Sequence, residues 1–144
     1  MNPITIYWSK AKNLVVIPTS AKTEAGYSID IEPVTVVPLG DLAAIKSAIR
    51  LAAFRTIGVI PTPLRGEFPK PVVLKPGKVR SWSQFHWNYF VAHINQKKDG
   101  TIQFDVWEKW ADGSYRPNSD SHARSFDTLD EAMEVVIEEM EKSE

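Results

Sequence analysis

The residues of this sequence able to do acid–base or metal chemistry are few. Its three histidines, His86, His93 and His122, fall in no HExxH or related metal-ligand spacing. There is no glycine-rich phosphate loop, no GxSxG elbow and no cysteine nucleophile. Two constellations remain. If residues 87–96 and 101–110 pair as a hairpin, His93 lies opposite Asp105 on its outer face, where a carboxylate could orient the imidazole as a general base. Cross-strand polar pairs of this kind more commonly serve the sheet itself. The other constellation, Asp120-Ser121-His122 with Arg124, is close in sequence only. Neither amounts to a catalytic site, and a small hydrolase centred on His93 is the weakest reading. The expectation is a protein that is not an enzyme and holds no cofactor or metal.

Binding chemistry has more to work with. The outer face of the same hairpin would carry Trp87, Tyr89, His93, Trp107 and Lys109, and aromatic–cation surfaces can stack bases or anchor a protein interface. The same aromatics could instead pack beneath a neighbouring segment. Three strands and a helix opening Phe126-Asp127-Thr128-Leu129-Asp130-Glu131-Ala132 also resemble the small sheet-plus-helix module of plant-type DNA-binding factors. Charge argues against that use. Residues 81–126 hold five Lys/Arg and five Asp/Glu, whereas a phosphate-binding surface needs net cations to release counterions.

The whole chain has a formal charge of −1, but its charges are separated along it. Residues 42–98 carry ten Lys/Arg and a single Glu, and residues 127–144 carry eight carboxylates and one Lys. Opposite fields in one small protein suit recognition of a charged partner. Glu131, Glu134, Glu138 and Glu141 fall on one stripe of the last predicted helix. That stripe can be solvated, can meet Lys46 and Arg50 of the first helix, or can dock a basic protein, where charge raises on-rate and specificity.

The elements that would position these groups are read from periodicity. Ile4, Ile6 and Trp8 alternate with Thr5 and Tyr7, and Leu14–Ile17 is a β-branched run ended by Pro18, with a polar hairpin loop between them. Tyr27, Ile29 and Ile31 alternate with polar residues, and Pro33 and Pro38 bracket a short edge strand, Val34–Val37. A helix N-capped by Asp41 presents Leu42, Ile45, Ile49 and Ala52 to the core. Five prolines and five cations in 61–80 predict an extended basic connector.

In the second half, Trp87–Gln96 and Thr101–Trp110 flank Lys97-Lys98-Asp99-Gly100. A three-residue loop with Gly100 left-handed pairs Ile94 with Phe104, Ala92 with Val106 and Lys97 with Thr101. That register puts Phe90, Ala92, Ile94, Ile102, Phe104 and Val106 on one face, whereas a slip would expose them. A further strand is expected around Ser114–Arg116. Thr128-Leu129-Asp130-Glu131 reads as a capping box for a helix that buries Leu129, Ala132, Met133, Val136, Ile137 and Met140.

The expected fold class is therefore α+β, antiparallel hairpins with two helices, strands before helix in each half. The 144 residues suit a single domain, with sub-structures 1–60 and 81–144 joined by the connector 61–80. No apolar run is long enough to cross a bilayer, and the start lacks a signal-peptide pattern, so a cytoplasmic setting is expected.

One stretch adds a family to this reading. Ile6-Tyr7-Trp8-Ser9-Lys10, Asn13-Leu14-Val15-Val16-Ile17-Pro18-Thr19 and Thr23-Glu24-Ala25-Gly26-Tyr27-Ser28-Ile29-Asp30-Ile31-Glu32-Pro33 resemble immunity proteins of bacterial contact-dependent growth inhibition systems. The resemblance covers about the first fifty residues and brings no binding motif. It implies a small cytoplasmic protein without catalytic activity, which binds the C-terminal toxin domain of a cognate effector, often a nuclease. From charge and exposure, the partner-binding residues would be Glu131, Glu134, Glu138, Glu141, Trp87, Tyr89, Trp107 and Lys109. The alternative is a nucleic-acid-binding or regulatory module using the basic middle and the aromatic sheet face.

Overall fold

A computed structural model describes residues 1–64, 70–117 and 124–143. The elements run β1 (Ile4–Ser9), β2 (Leu14–Lys22), β3 (Ser28–Pro38), α1 (Leu42–Phe54), α2 (Trp82–Asn88), β4 (Phe90–Gln96), β5 (Ile102–Lys109), β6 (Tyr115–Pro117), β7 (Arg124–Phe126) and α3 (Leu129–Lys142). The fold is α+β: one antiparallel sheet in the order β3-β2-β1-β4-β5-β6, with β7 also paired to β5. The two halves share this sheet, because β1 pairs with β4 from Ile4↔Ile94 to Trp8↔Phe90.

Both faces of the sheet are covered. Ile4, Ile6 and Trp8 point to one side, where they pack with Ala92, Ile94 and Phe104 under α1 and α3. Tyr7, Val16 and Val91 point to the other, where Phe85, Tyr89 and Val73 close over them. All six residues of β1 are consequently buried. A strand covered on both faces must be apolar or hydrogen-bonded throughout. Ser9 satisfies this by accepting from the Lys12 backbone N–H at 3.0 Å.

The β4–β5 hairpin has the expected register, with Ala92↔Val106 and Ile94↔Phe104 paired. Lys97 N–H donates to Thr101 O at 2.9 Å, and Gly100 sits at φ +88°, where a β-carbon would be strained. Asp41 caps α1 by accepting from Ala44 N–H at 3.1 Å. Ile45, Ile49 and Ala52 are buried as expected, but Leu42 is 45% exposed. Thr128 accepts from Glu131 N–H at 3.2 Å and donates its hydroxyl to the Glu131 carboxylate, so α3 is N-capped by Thr128 with Glu131 folded back onto its side chain.

Four expectations about the elements need correcting. β2 continues through Pro18 to Lys22, because a shift in pairing between Ile17 and Thr19 removes the need for the N–H that proline lacks. The two strands expected on either side of Pro33 are one edge strand, β3, where outward-facing groups need no partner.

The third correction matters most to the site. Residues Trp82–Asn88, partly read as the start of a strand, form a third helix. Ser81 accepts from Gln84 N–H at 3.2 Å, and Gln84 Oε1 accepts from Arg80 N–H at 2.8 Å. In the described part of the connector, residues 72–78 are folded turns rather than extended chain: Gly77 N–H donates to Val73 O at 2.8 Å, and Val73 is buried. Residues 65–69 of that segment lie outside the described residues.

Candidate functional site

The His93–Asp105 pair forms in register but not in chemistry. The two residues are cross-strand neighbours, yet no ion pair joins them among the described residues. His93 Nδ1 instead lies 3.2 Å from Thr5 Oγ1, and its ring packs 4.3 Å from the Trp107 ring. Burial pushes the imidazole down to about 4. A carboxylate acting on it would push the other way. His86 is buried in α2 and bonded through Nε2 to Ser114 O at 2.8 Å; since a carbonyl only accepts, Nε2 carries the proton. Asp120, Ser121 and His122 lie outside the described residues. Among the described residues no cluster of three His, Asp or Glu side chains could hold a metal ion.

The four stripe glutamates of α3 are all exposed, but they are not equivalent. Glu134 is paired with Lys46 of α1, and beside it Arg50 reaches Asp130 at 2.8 Å. Glu131 belongs to the helix cap. Arg124 of β7 holds Glu139 at 2.8 Å. Glu138 and Glu141 have no cation within ion-pair distance among the described residues. The acidic field therefore survives at the C-terminal half of α3, while its N-terminal half is partly matched by α1.

The aromatic set separates in the same way. Trp87, on α2, is 58% exposed. Tyr89 is a correction: it is fully buried, its ring stacked on Phe85 at 4.3 Å and its hydroxyl donating to Gly77 O at 2.8 Å, so it cannot touch a partner. Trp107 is half-buried against the α2 layer, with Nε1 buried and without an acceptor. Lys109 is occupied internally, donating to Trp87 O at 3.1 Å and lying 4.4 Å from the Phe90 ring centre. With α2 and residues 71–79 packed on the outer face, the open aromatic sheet needed to stack bases is not there.

What the α2 side of the sheet does hold is an open pocket of about 480 Å³ lined by Tyr7, Trp82, Val91, His93, Trp107 and residues 112–115. Its walls come from β1, α2, β4, β5, the 112–114 turn and β6. Sequence reasoning missed it, because it depends on α2. The available signal was Ser81-x-x-Gln84 with Trp82, Phe85 and Tyr89 at helical spacing.

No helix among the described residues is long and apolar enough to cross a membrane. No protein-family model matches the chain, and no curated protein matches it. Among solved structures, the chain is similar to a Neisseria meningitidis protein titled "Protein of Unknown Function NMB0488". The TM-score is 0.63 at 12% identity, over 97% of this chain and 92% of that one. At that identity the likeness carries the fold and nothing further.

Proposed function

We propose that this protein is an immunity protein, which binds and neutralises the C-terminal toxin domain of a contact-dependent growth inhibition effector in the cytoplasm. The observation that carries the reading is the pair Glu138 and Glu141 on the exposed stripe of α3, which no cation among the described residues meets within ion-pair distance, in a chain whose first strands resemble that family. A nuclease cleft is basic because it must hold phosphates, and an acidic helix face complements it. Trp87, exposed on the opposite layer, is a separate aromatic surface and not part of that stripe.

The test is co-expression with the C-terminal domain encoded by the neighbouring effector gene. Growth should be restored and a complex recovered. Glu138→Lys with Glu141→Lys should weaken that complex and steepen toxicity without altering the fold. A toxic domain that this protein neither binds nor neutralises overturns the reading. Unchanged affinity in the charge-reversed variant removes α3 as the docking face.

A further inference from the structure

We propose that the cavity between β5, β6 and the N-terminus of α2 is a binding site for an organic cation, an alkylammonium or guanidinium group held against aromatic ring faces. The pocket is lined by four aromatic rings, Tyr7, Trp82, Trp107 and Tyr115, with Val91 and His93 beside them. Three of these rings have their polar atoms engaged by the protein. Tyr7 OH donates to Asp30 at 3.0 Å, Trp82 Nε1 to Gly113 O at 2.7 Å and Tyr115 OH to Tyr89 O at 2.8 Å. With those polar atoms taken, these three rings have only carbon surface left to offer a guest. The negative face of a ring quadrupole attracts a cation, and indole does so best. The Tyr7 hydroxyl, bonded to a carboxylate, makes its ring more electron-rich still.

Among the described residues the rest of the lining carries no cation of its own and one carboxylate, which is paired with Arg116. Among the described residues no Lys or Arg lines the pocket directly, and burial keeps His93 neutral, so no lining side chain itself repels a cation. The one carboxylate is Asp112, whose acidity is increased chiefly by hydrogen bonds from Ser114. Its other oxygen holds Arg116 at 2.5 Å, and that guanidinium lies 4.0 Å from the Trp110 ring centre. The nearby cations Lys109, Arg116 and Arg124 lie over Phe90, Trp110 and Phe104, none of which lines the pocket. The volume, about 480 Å³, is well above one trimethylammonium or guanidinium group, leaving room for its alkyl chain.

The site goes beyond the immunity reading and does not depend on it, since a free quaternary amine and a partner's Lys or Arg side chain share this chemistry. Choline, acetyl-arginine amide and acetyl-lysine amide would be titrated into the unaltered protein, following the indole N–H resonances by NMR. Dimethylbutanol, the neutral carbon isostere of choline, is the control. The expected result is saturable shifts of Trp82 and Trp107, with choline binding about tenfold more tightly than its isostere. Preference for the amino-acid amides identifies a partner side chain as the source, and preference for choline a free cation. Equal affinity of choline and dimethylbutanol, shifts confined to exposed Trp87, or no saturable shift with any cation overturns the proposal. Trp107→Leu should abolish binding, and the isostere comparison stands even if that variant folds poorly.

Discussion

The Tyr89 hydroxyl donates to the Gly77 carbonyl at 2.8 Å, joining the residue that ends α2 to the proline-rich turn laid over it. Tyr89 N–H also closes α2 by donating to Phe85 O at 2.9 Å, and the two rings stack almost parallel. Burial pushes the phenol up to about 12, so it remains a donor at any ordinary pH. One side chain thus holds together the second layer, which hides the outer sheet face and forms a wall of the aromatic pocket.

Replacing Tyr89 by Phe keeps the stacking and removes only that donor. The Gly77 carbonyl is then left without this partner in the interior, at a cost of about 1–3 kcal/mol. Urea denaturation monitored by circular dichroism should show a lower midpoint with an unchanged folded spectrum. An unshifted midpoint would mean the joint is held by ring packing alone.

Gly77→Ala tests the same joint from the other side. An added β-carbon would stand 2.8 Å from Val73 O and 3.0 Å from Phe85 Cε2. The first neighbour is backbone inside a turn and cannot step aside cheaply, so the loss should be on the order of 1–3 kcal/mol. Gly40→Ala, with nothing near its added β-carbon, is the matched control and should leave the midpoint almost unchanged.

The joint also shows where sequence and structure part. The β4–β5 register was readable because a left-handed Gly100 and a one-sided apolar face admit one pairing. The ends of α1 and α3 were readable because Asp41 and Thr128 cap through their own side chains. Helix α2 was not, because Trp82-Ser83-Gln84-Phe85-His86-Trp87 is rich in aromatics that favour strands. Its helicity is fixed by the Ser81–Gln84 cap and by Phe85 packing, a tertiary contact. The stripe on α3 was legible as exposed, whereas the fold reveals that Lys46 takes Glu134, while Glu138 has no ion-pair partner among the described residues.

That difference is measurable without a partner. Glu134→Gln breaks an interhelical pair between exposed groups, which should lower stability by less than about 1 kcal/mol. Glu138→Gln removes like-charge repulsion with Glu134 four residues away and should be neutral or stabilising by about 0.2–0.5 kcal/mol. The gap between the two variants should shrink in high salt. If both behave alike at low salt, the Lys46 contact contributes nothing.

His93 gives the fold a specific acid sensitivity. Its folded value, about 4, lies below the ordinary 6.5, so the unfolded chain takes up a proton first as pH falls. Protonation then favours unfolding throughout the interval between those two values, and stability drops with falling pH until both states are charged. Between pH 7 and 5 the loss should be about 1–2 kcal/mol, allowing for the ring's partial contact with solvent. Asp30, raised by burial, contributes with the opposite sign, because its folded state takes up a proton first and stability gains as pH falls. Comparing the protein with His93→Gln cancels that background, since Asp30 is present in both. Denaturant unfolding at the two pH values should show a smaller pH-dependent loss in the variant, whatever its absolute stability. Equal losses would place the titration elsewhere and show that the imidazole beside Thr5 and Trp107 is reached freely by protons in the folded state.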